Sequence, residues 1–342
     1  MLKRHDTSAK PLDWKLWAGI PISALFLYLA FRKVDLDRVW EVILSARLRF
    51  VLLVTLATFF QFVIRAWRWA LLLRPIKDTG FLNRLAAVLV GCAANFLLPA
   101  RLGELVRAGT LARAEKLSGG ATFGTIVVER LFDGFTLLLI LLIGLLGTGF
   151  PGEWRSISGH LRTAGYTLFV VYILISVFLF GFKYKTGAFL SLLDRILFFF
   201  PPQIRTRFID MIRNFSLGLV LLKSPAQWGL AIVYSILLWV CGLYQVEFTE
   251  MSIGQNLPFI ATFIILSMAV FGVMIPSAPG FIGTFHLSVQ YGFIFYGIGK
   301  EEALSAAVLW HAAMLFPTVL FGLCAFLYLQ FSRLRVSEPS AL

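Results

Sequence analysis

Charged residues are scarce in this sequence: Asp, Glu, Lys and Arg make up only 14% of its 342 residues. An average soluble domain is about 25% charged, so the chain lacks the polar surface that a soluble protein would expose. Hydrophobic residues make up 59% of the chain and fall in blocks rather than with amphipathic spacing. Several blocks reach the roughly 20 residues that cross a bilayer. The composition therefore predicts an integral membrane protein with several spanning helices.

Cysteine is also scarce, and its three copies, Cys92, Cys241 and Cys324, lie far apart inside apolar segments. They show no CxxC or Cys/His spacing, which argues against a disulfide framework or a zinc site. The four histidines form no HExxH-like pair, and the sequence has no GxSxG, P-loop or GxGxxG motif. No soluble domain is large enough to hold an exposed active site. We therefore expect neither a metal nor another cofactor.

Acidic residues are outnumbered, because 31 Lys and Arg face 18 Asp and Glu, giving a net charge of +13. In a soluble protein this excess would suggest a nucleic-acid partner. Here the basic residues lie between apolar blocks, where they orient helices and meet anionic lipid headgroups. The sequence shows no basic-aromatic module, so we expect no nucleic acid to bind.

Six apolar segments are long enough to be full spans. They cover residues 14–31, 50–73, 122–148, 164–184, 226–248 and 303–330. The first follows a basic start and lacks a small-residue cleavage site, so we expect a retained helix rather than a signal peptide. The six predict a single membrane domain over residues 1–342, with a first half at 14–148, a second half at 164–330 and a short tail at 331–342.

Two further apolar stretches, 85–104 and 257–299, are interrupted by proline and glycine. The breaks fall at Pro99 in the first stretch and at Pro276, Pro279, Gly280 and Gly283 in the second. Proline removes a helical hydrogen bond and clashes one turn back. Non-helical backbone at membrane depth survives only where it is buried in protein or lines a wet cavity. Both stretches are therefore candidate walls of a cavity.

The distribution of Lys and Arg predicts the topology. The loop 183–223 carries seven basic residues against two acids, whereas the loop 249–257 carries Glu250 and no Lys or Arg. This asymmetry places both termini in the cytoplasm of an inner or plasma membrane, although the loop 32–49, with five basic residues against three acids, disobeys it. Within 187–223 we predict a basic amphipathic helix on the membrane surface.

With this topology the two broken stretches enter the membrane from opposite sides. Two broken helices of opposite orientation, one in each half, are typical of inverted-repeat transporters. The sequence therefore predicts an all-α polytopic membrane protein with six full spans and two oppositely oriented re-entrant helical hairpins, although the two halves share no evident identity.

Three ionisable residues lie inside the apolar run GTIVVERLFDGF: Glu129, Arg130 and Asp133. Glu129 and Asp133 are four residues apart and share a helix face, whereas Arg130 points roughly 100° away and should meet a different helix. Charges deep in a membrane mark functional networks. The alternative is a polar first turn at the interface, where acids complement the helix N-terminus.

Around the first break, NFLLPARLGELVRAG carries Asn95, Arg101, Glu104 and Arg107. The last three are spaced by three residues and could form one chain of ion pairs on a helix face. The break would leave free amide groups at a helix N-terminus, which suits a phosphate. The alternative is an amphipathic interfacial helix held by lipid headgroups.

Two more arginines, Arg65 and Arg68, share a face near the cytoplasmic end of their span. Trp67 and Trp69 flank them, as in an interfacial aromatic belt. We expect these arginines to snorkel to the inner interface, and phosphate binding is the alternative.

At the second break, small residues such as Gly280 and Gly283 allow close approach of backbone or of a lipid headgroup. His286 follows them and could titrate near neutral pH, although a lone histidine is more often structural. His311, in LWHAAM, is a second lone histidine inside a span.

These segments resemble the transmembrane region of lysylphosphatidylglycerol synthases. That family includes stand-alone flippase-like bacterial proteins and an archaeal group linked to dolichol-bound sugars. The similarity spans about 14–330 and rests on NFLLPARLGELVRAG, VVERLFDGF, IPSAPGFIGTFH and ALSAAVLWHAAMLFPTVLFG. It implies a lipid-translocating bundle and carries over to Asn95, Pro99, Arg101, Gly103, Glu104, Arg107, Glu129, Arg130, Asp133, Pro276, Pro279, Gly280 and Gly283.

Two features depart from that family. His286 stands where members often carry a glutamate, which puts the substrate or its coupling in doubt. Only about twelve residues follow the last predicted span, where the synthases continue into a soluble aminoacyl-transfer domain. We therefore expect the synthase activity to be absent.

Together these features predict a transporter, rather than an enzyme, that moves a phosphate-bearing or polyprenyl-linked lipid between leaflets. The expected binding residues are Asn95, Arg101, Glu104, Arg107, Glu129, Arg130, Asp133, Gly280, Gly283 and His286. The expected partner is thus a membrane phospholipid or a polyprenyl-phosphate lipid. A membrane-embedded headgroup or sugar transferase and a non-catalytic subunit of a lipid-modifying enzyme are the alternatives. The sequence leaves open which lipid moves, in which direction and with which ion, and whether the protein is a homo-oligomer.

Overall fold

The structure, a computed structural model, describes residues 19–98, 101–149, 158–199, 201–218, 222 and 224–337. All regular secondary structure in this part is helical. The helices are α1 Gly19–Phe31, α2 Leu36–Ser45, α3 Leu48–Leu73, α4 Phe81–Leu97, α5 Gly103–Glu115, α6 Gly119–Gly147, α7 Ser158–Tyr184, α8 Thr186–Ile196, α9 Pro202–Gly218, α10 Pro225–Ser252, α11 Ile260–Met274, α12 Thr284–Phe295 and α13 Lys300–Ser337. The predicted all-α class is confirmed.

Four of the described helices are long and apolar enough to cross a membrane: α3, α10, and the greater parts of α7 and α13. They correspond to the predicted spans 50–73, 226–248, 164–184 and 303–330. The predicted span 122–148 is the 29-residue helix α6. Of the predicted span 14–31, the structure describes a helix only from Gly19, and residues 14–18 lie outside the described part. The count of six spans stays a prediction.

Helices α3 and α10 pack against each other in antiparallel orientation. Thr58, early in α3, accepts a hydrogen bond from Gln245, late in α10, at 2.9 Å. Arg68, late in α3, donates to Ser235, early in α10, also at 2.9 Å. Gln61 lies between them and donates to the Leu238 carbonyl at 3.1 Å. The Arg47 N–H, just before α3, also donates to the Ser252 carbonyl at the end of α10 at 2.8 Å, so the two helices are in contact along most of α3.

The first predicted break is present as a turn between α4 and α5. Arg101 lies in this turn with a left-handed backbone (φ 53°), and Pro99 falls outside the described residues. Asn95 Oδ1 accepts the Gly103 N–H at 2.8 Å and so joins the end of α4 to the start of α5. A Cβ on Gly91 would lie 2.5 Å from the Arg107 Cβ, and one on Gly103 would collide with the Gly91 carbonyl. Glycine therefore permits this close hairpin.

The second predicted break separates α11 from α12 and contains a short 3-10 turn, Pro279–Phe281. Gly280 and Gly283 have φ of 77° and 93°, which L side chains rarely adopt. A Cβ on Gly272 would lie 2.7 Å from the Thr284 carbonyl. This hairpin is therefore also closed through a glycine contact.

The start of α4 and the end of α5, which lie at the end of the hairpin away from its turn, are held together by the carboxylate of Glu115. It accepts hydrogen bonds from the Gly80 N–H at 2.9 Å and from Asn83 Nδ2 at 2.8 Å. Lys77 Nζ lies 3.7 Å from its second oxygen. Partial burial raises the pKa of Glu115, but these donors stabilise the carboxylate more strongly and lower the pKa below its ordinary value.

The segment predicted as a surface helix forms two helices, α8 and α9, separated by the 3-10 turn Leu197–Phe199. Neither is among the helices long and apolar enough to span. Residues 200, 219–221 and 223 lie outside the described part. The position of α8 and α9 on the membrane surface stays a prediction.

Candidate functional site

The structure gathers seven charged side chains into one cluster between α3, α5 and α6. We call these residues the charge cluster: Arg65, Arg68, Glu104, Arg107, Glu129, Arg130 and Asp133. A lone charge at the centre of a spanning helix costs about 2.5–3.5 kcal/mol on insertion scales. Mutual pairing offsets that cost here, which is why an apolar bundle tolerates the cluster.

Glu129 is the centre of the cluster and is fully buried. Its oxygens lie 2.8 Å from Arg107, 3.1 Å from Arg68, 3.2 Å from Arg130 and 3.3 Å from Arg65. Arg107 donates from both terminal nitrogens, one to each oxygen, in the bidentate geometry that makes strong pairs. Its guanidinium also stacks on the Trp69 ring at 3.9 Å. The prediction of a buried network around Glu129 is therefore confirmed.

Asp133 lies one turn further along α6 and shares the face of Glu129, as their spacing predicted. Its oxygens lie 2.6 Å from Arg68 and 3.0 Å from Arg130. Arg130 also reaches Glu104 on α5 at 3.6 Å, so it does meet a different helix. It was expected to point away from Glu129 and Asp133, and that part was wrong, because its long side chain also reaches both of these acids on its own helix.

The expected chain of ion pairs through Arg101, Glu104 and Arg107 was wrong. Arg107 pairs with Glu129, and Glu104 pairs with Arg130. Within the described residues, no carboxylate lies within 4.0 Å of the Arg101 guanidinium. The i, i+3 rule fails for Arg101 because α5 begins only at Gly103, and Glu104 and Arg107, although both are in α5, pair with α6 instead. Arg101 has left-handed backbone and does not share the helical face.

The expectation that Arg65 and Arg68 snorkel to the inner interface was also wrong. Both turn into the bundle and pair with Glu129 and Asp133, and the Arg68 side chain has no exposed surface. These two arginines are the site residues that sequence reasoning missed. A signal was present, because two arginines three apart in one apolar run complement two acids four apart in another.

A partly open cavity of about 190 Å³ lies beside the charge cluster. Its walls come from both hairpins and from α3, α6 and α13. They are formed by Thr58, Gln61, Phe62, Arg65, Gly91, Cys92, Asn95, Phe96, Arg101, Glu104, Arg107, Arg130, Val273, Phe281, Met314 and Thr318. The Arg101 guanidinium lies 5.9 Å from the centre of the Phe281 ring, so it faces the second hairpin.

The electrostatics of this cavity favour an anion. Arg101 and the charge cluster together hold five arginines and three carboxylates, a formal surplus of two positive charges. Every carboxylate of the cluster is within ion-pair distance of an arginine. An anionic group entering the cavity would therefore meet positive charge that the cluster itself does not neutralise.

The remaining predicted residues shape the second hairpin rather than the cavity wall. The Gly280 carbonyl lies 2.8 Å from His311 Nε2. The Gly283 N–H points at His286 Nδ1 at 3.4 Å, and the two imidazole rings meet at 4.7 Å between centroids. Among residues 279–286, Phe281 is the one that lines the cavity. Among the described residues, no three His, Cys, Asp or Glu side chains are grouped as a metal site requires.

Comparison with known proteins identifies relatives along almost the whole chain. A family model described as the lysylphosphatidylglycerol synthase TM region matches residues 16–322. A UPF0104 membrane protein of Pyrococcus horikoshii is 25% identical over 335 residues, covering 94% of this chain and 97% of the relative. A UPF0104 membrane protein of Methanocaldococcus jannaschii is 21% identical over 313 residues, covering 87% and 90%.

A third relative is larger than this chain. The glycosyltransferase AglD of Haloferax volcanii is 23% identical over 350 aligned positions, which cover 95% of this chain but 56% of the relative. The chain therefore spans about half the length of that protein. No solved structure matches.

Proposed function

This chain belongs to the lysylphosphatidylglycerol synthase TM region family, and we propose that it moves a phosphate-bearing lipid between the leaflets of a membrane. One observation carries the proposal. Arg101 lines the cavity, and within the described residues its guanidinium has no carboxylate at ion-pair distance, whereas the other three arginines that line the cavity, Arg65, Arg107 and Arg130, are paired. A phosphate headgroup supplies the missing charge, and the guanidinium fork matches its oxygens.

An inverted repeat is part of the proposal. The first residues of α5 and α12, Gly103 and Thr284, are 181 positions apart, as are those of α6 and α13, Gly119 and Lys300. The order of helices α3 to α6 thus returns as α10 to α13. Because α3 and α10 run antiparallel, two such units would have opposite orientation in the membrane. Their interface is where a transporter of this kind binds its substrate.

The glycine contacts inside the two hairpins support the same relationship. Gly91 meets Arg107, 16 positions later, and the corresponding Gly272 meets Ser288, also 16 positions later. Each glycine also meets a backbone carbonyl 12 positions later, that of Gly103 in one hairpin and of Thr284 in the other. Two hairpins with the same internal spacing fit a duplicated, re-entrant element whose two tips face one cavity.

A second cavity suits the hydrocarbon part of a lipid. It measures about 450 Å³, lies between α6, α7 and α10, and has mainly apolar walls such as Leu131, Phe135 and Ile232. Ser235 lines this cavity and accepts a hydrogen bond from Arg68 of the charge cluster. An apolar surface thus borders the cluster, as a molecule with a charged head and apolar chains requires.

A glycosyl- or headgroup transferase is the weaker candidate. The name of the Haloferax relative favours it, but this chain matches only about half of that protein. A transferase needs a general base poised near neutral pH. Glu104, Glu129 and Asp133 are all within ion-pair distance of arginines, so each of the three carboxylates already serves as a counter-ion inside the cluster.

The proposal is tested by leaflet exchange of labelled anionic phospholipid in proteoliposomes. Arg101→Ala removes a charge-assisted hydrogen bond worth about 1.5–3 kcal/mol, so affinity should fall roughly 10- to 150-fold. Arg101→Lys should recover only part, because a point charge replaces a planar fork. Arg113→Ala is the matched control, because Arg113 is on α5, the helix that follows Arg101, but is exposed and does not line the cavity.

Normal exchange by Arg101→Ala at equal incorporation would show that Arg101 does not bind the headgroup. A change in the mass of the lipid during the assay would favour the transferase instead. Wild-type protein that neither exchanges nor alters lipid would argue for a non-catalytic subunit.

A further inference from the structure

A buried carboxylate lies at the end of α10 that is remote from the charge cluster. Glu250 is fully buried, and one of its oxygens accepts the Leu257 N–H at 3.0 Å. Its other oxygen is buried and has no hydrogen-bond partner among the described residues. Glu247, one turn earlier, likewise has one buried oxygen without a partner. Two carboxyl groups thus point polar atoms into an apolar interior.

No cation in the described part of the chain compensates this carboxylate. Helix α10 packs against α3, α6, α11 and α13. The charged and titratable side chains described on these elements are Arg47 and Arg49 at the start of α3, Lys300, Glu301 and Glu302 at the start of α13, His311, Cys324 and Tyr328 within α13, and the charge cluster on α3 and α6. Helix α11 carries none. None of the basic groups lies within 4.0 Å of Glu250.

The charge cluster is too distant to help. Arg68 contacts Ser235 on α10, and Glu250 follows Ser235 by 15 residues. At 1.5 Å per residue this separation is roughly 22 Å along the helix. Arg47 and Arg49 are nearer along α3, but their side chains are exposed.

We propose that Glu250 is a proton-binding site whose protonation is coupled to lipid movement. This proposal rests on the proposed function. A buried, unpaired carboxylate is costly, and such groups take up a proton instead. When water reaches the site, the carboxylic acid releases the proton to it and becomes a hydrated carboxylate. Because Glu250 is roughly 22 Å along α10 from the contact with the charge cluster, the proton and the headgroup would bind at separate sites.

A merely structural role is the competing explanation, because Glu250 also caps the loop before α11 through Leu257. Glu250→Gln separates the two roles. The amide oxygen of glutamine still accepts the Leu257 N–H, but the side chain cannot exchange a proton. Glu41→Gln is the matched control, because Glu41 is an exposed residue on α2.

Infrared spectroscopy of the protein in lipid nanodiscs tests the proton site without any transport. We expect a carboxylic-acid C=O band at neutral pH that is lost in Glu250→Gln, shifted in Glu250→Asp and unchanged in Glu41→Gln. A wild-type spectrum without this band at neutral pH, or a band unaffected by Glu250→Gln, overturns the proposal.

Leaflet exchange under an imposed pH gradient tests the coupling. One coupled proton changes the equilibrium ratio of lipid between the two leaflets by up to about tenfold per pH unit. Exchange by the wild type and by Glu41→Gln should therefore follow the gradient, and exchange by Glu250→Gln should not. Exchange by Glu250→Gln that still follows the gradient overturns the coupling. An absence of exchange in the wild type overturns the proposed function and the coupling together, and the infrared result then decides on the proton site alone.

Discussion

Glu129→Gln is the substitution that should damage this protein most for the smallest change in shape. Glutamine has nearly the same volume as glutamate and keeps one oxygen that can accept hydrogen bonds. It removes the negative charge that four arginines share. In the wild type, each terminal nitrogen of Arg107 donates to one oxygen of Glu129. In the variant, one of these nitrogens would face the NH2 group of glutamine, which is also a donor.

The expected loss follows from what remains in the cluster. Arg68 and Arg107 are buried, and after the substitution only Asp133 and Glu104 remain to balance four arginines. Removing one partner of a buried ion pair typically costs about 3–5 kcal/mol, because the other charge stays buried without compensation. We expect a loss in this range, and a lower one only if water enters from the adjacent cavity.

Thermal unfolding in detergent, followed by size-exclusion fluorescence, measures this effect. Glu129→Gln should lower the melting temperature strongly, whereas the same substitution at Glu41, in an exposed pair with Arg38, should leave it unchanged. Equal melting temperatures for wild type and Glu129→Gln would mean that the cluster does not depend on this carboxylate, and the buried-network interpretation would be refuted.

Two further predictions concern the first hairpin. Gly103→Ala should destabilise the protein, because its Cβ would collide with the Gly91 carbonyl, whereas Gly109→Ala on the same helix has open space and should leave the melting temperature unchanged or raise it. Glu115→Gln should destabilise the hairpin at neutral pH. Because the folded-state pKa of Glu115 is lowered, its stabilisation is complete above the ordinary glutamate pKa and is lost as pH falls through the lower, folded value. Melting curves of wild type and Glu115→Gln should therefore converge in acid, and a difference that is independent of pH would contradict this.

The sequence predicted the parts of this molecule that depend on local rules. The second helix break appears at Pro279, Gly280 and Gly283, as predicted, because proline and left-handed glycine disfavour a continuous helix. Glu129 and Asp133 share a face because they are four residues apart in a continuous helix. The same rule failed for Arg101, because the turn that contains it is not helical. Local rules hold only within one element.

The parts that could not be predicted depend on which elements meet. Snorkelling of Arg65 and Arg68 was the reasonable expectation for arginines near the end of an isolated span. Burial became favourable only because α6 presents two carboxylates to the same side of α3. The spacing of residues within α3 or within α6 does not predict that these two helices pack against each other. A search for complementary charges between apolar runs would have paired these two arginines with the two acids of α6.

The charge cluster and Arg101 therefore differ in role: the cluster fixes the helices, and Arg101 keeps a charge that the cluster does not pair. The carboxylates of Glu104, Glu129 and Asp133 are occupied by arginines from three helices, so their first effect is to fix those helices and the cavity wall that they form. Since none of the three pairs with Arg101, the cluster does not cancel its charge. Arg101 lies beside an aromatic ring in a turn between two helices, and the proposed function requires it to bind an anion and release it again. An arginine already locked to Glu129 could do neither without breaking the fold.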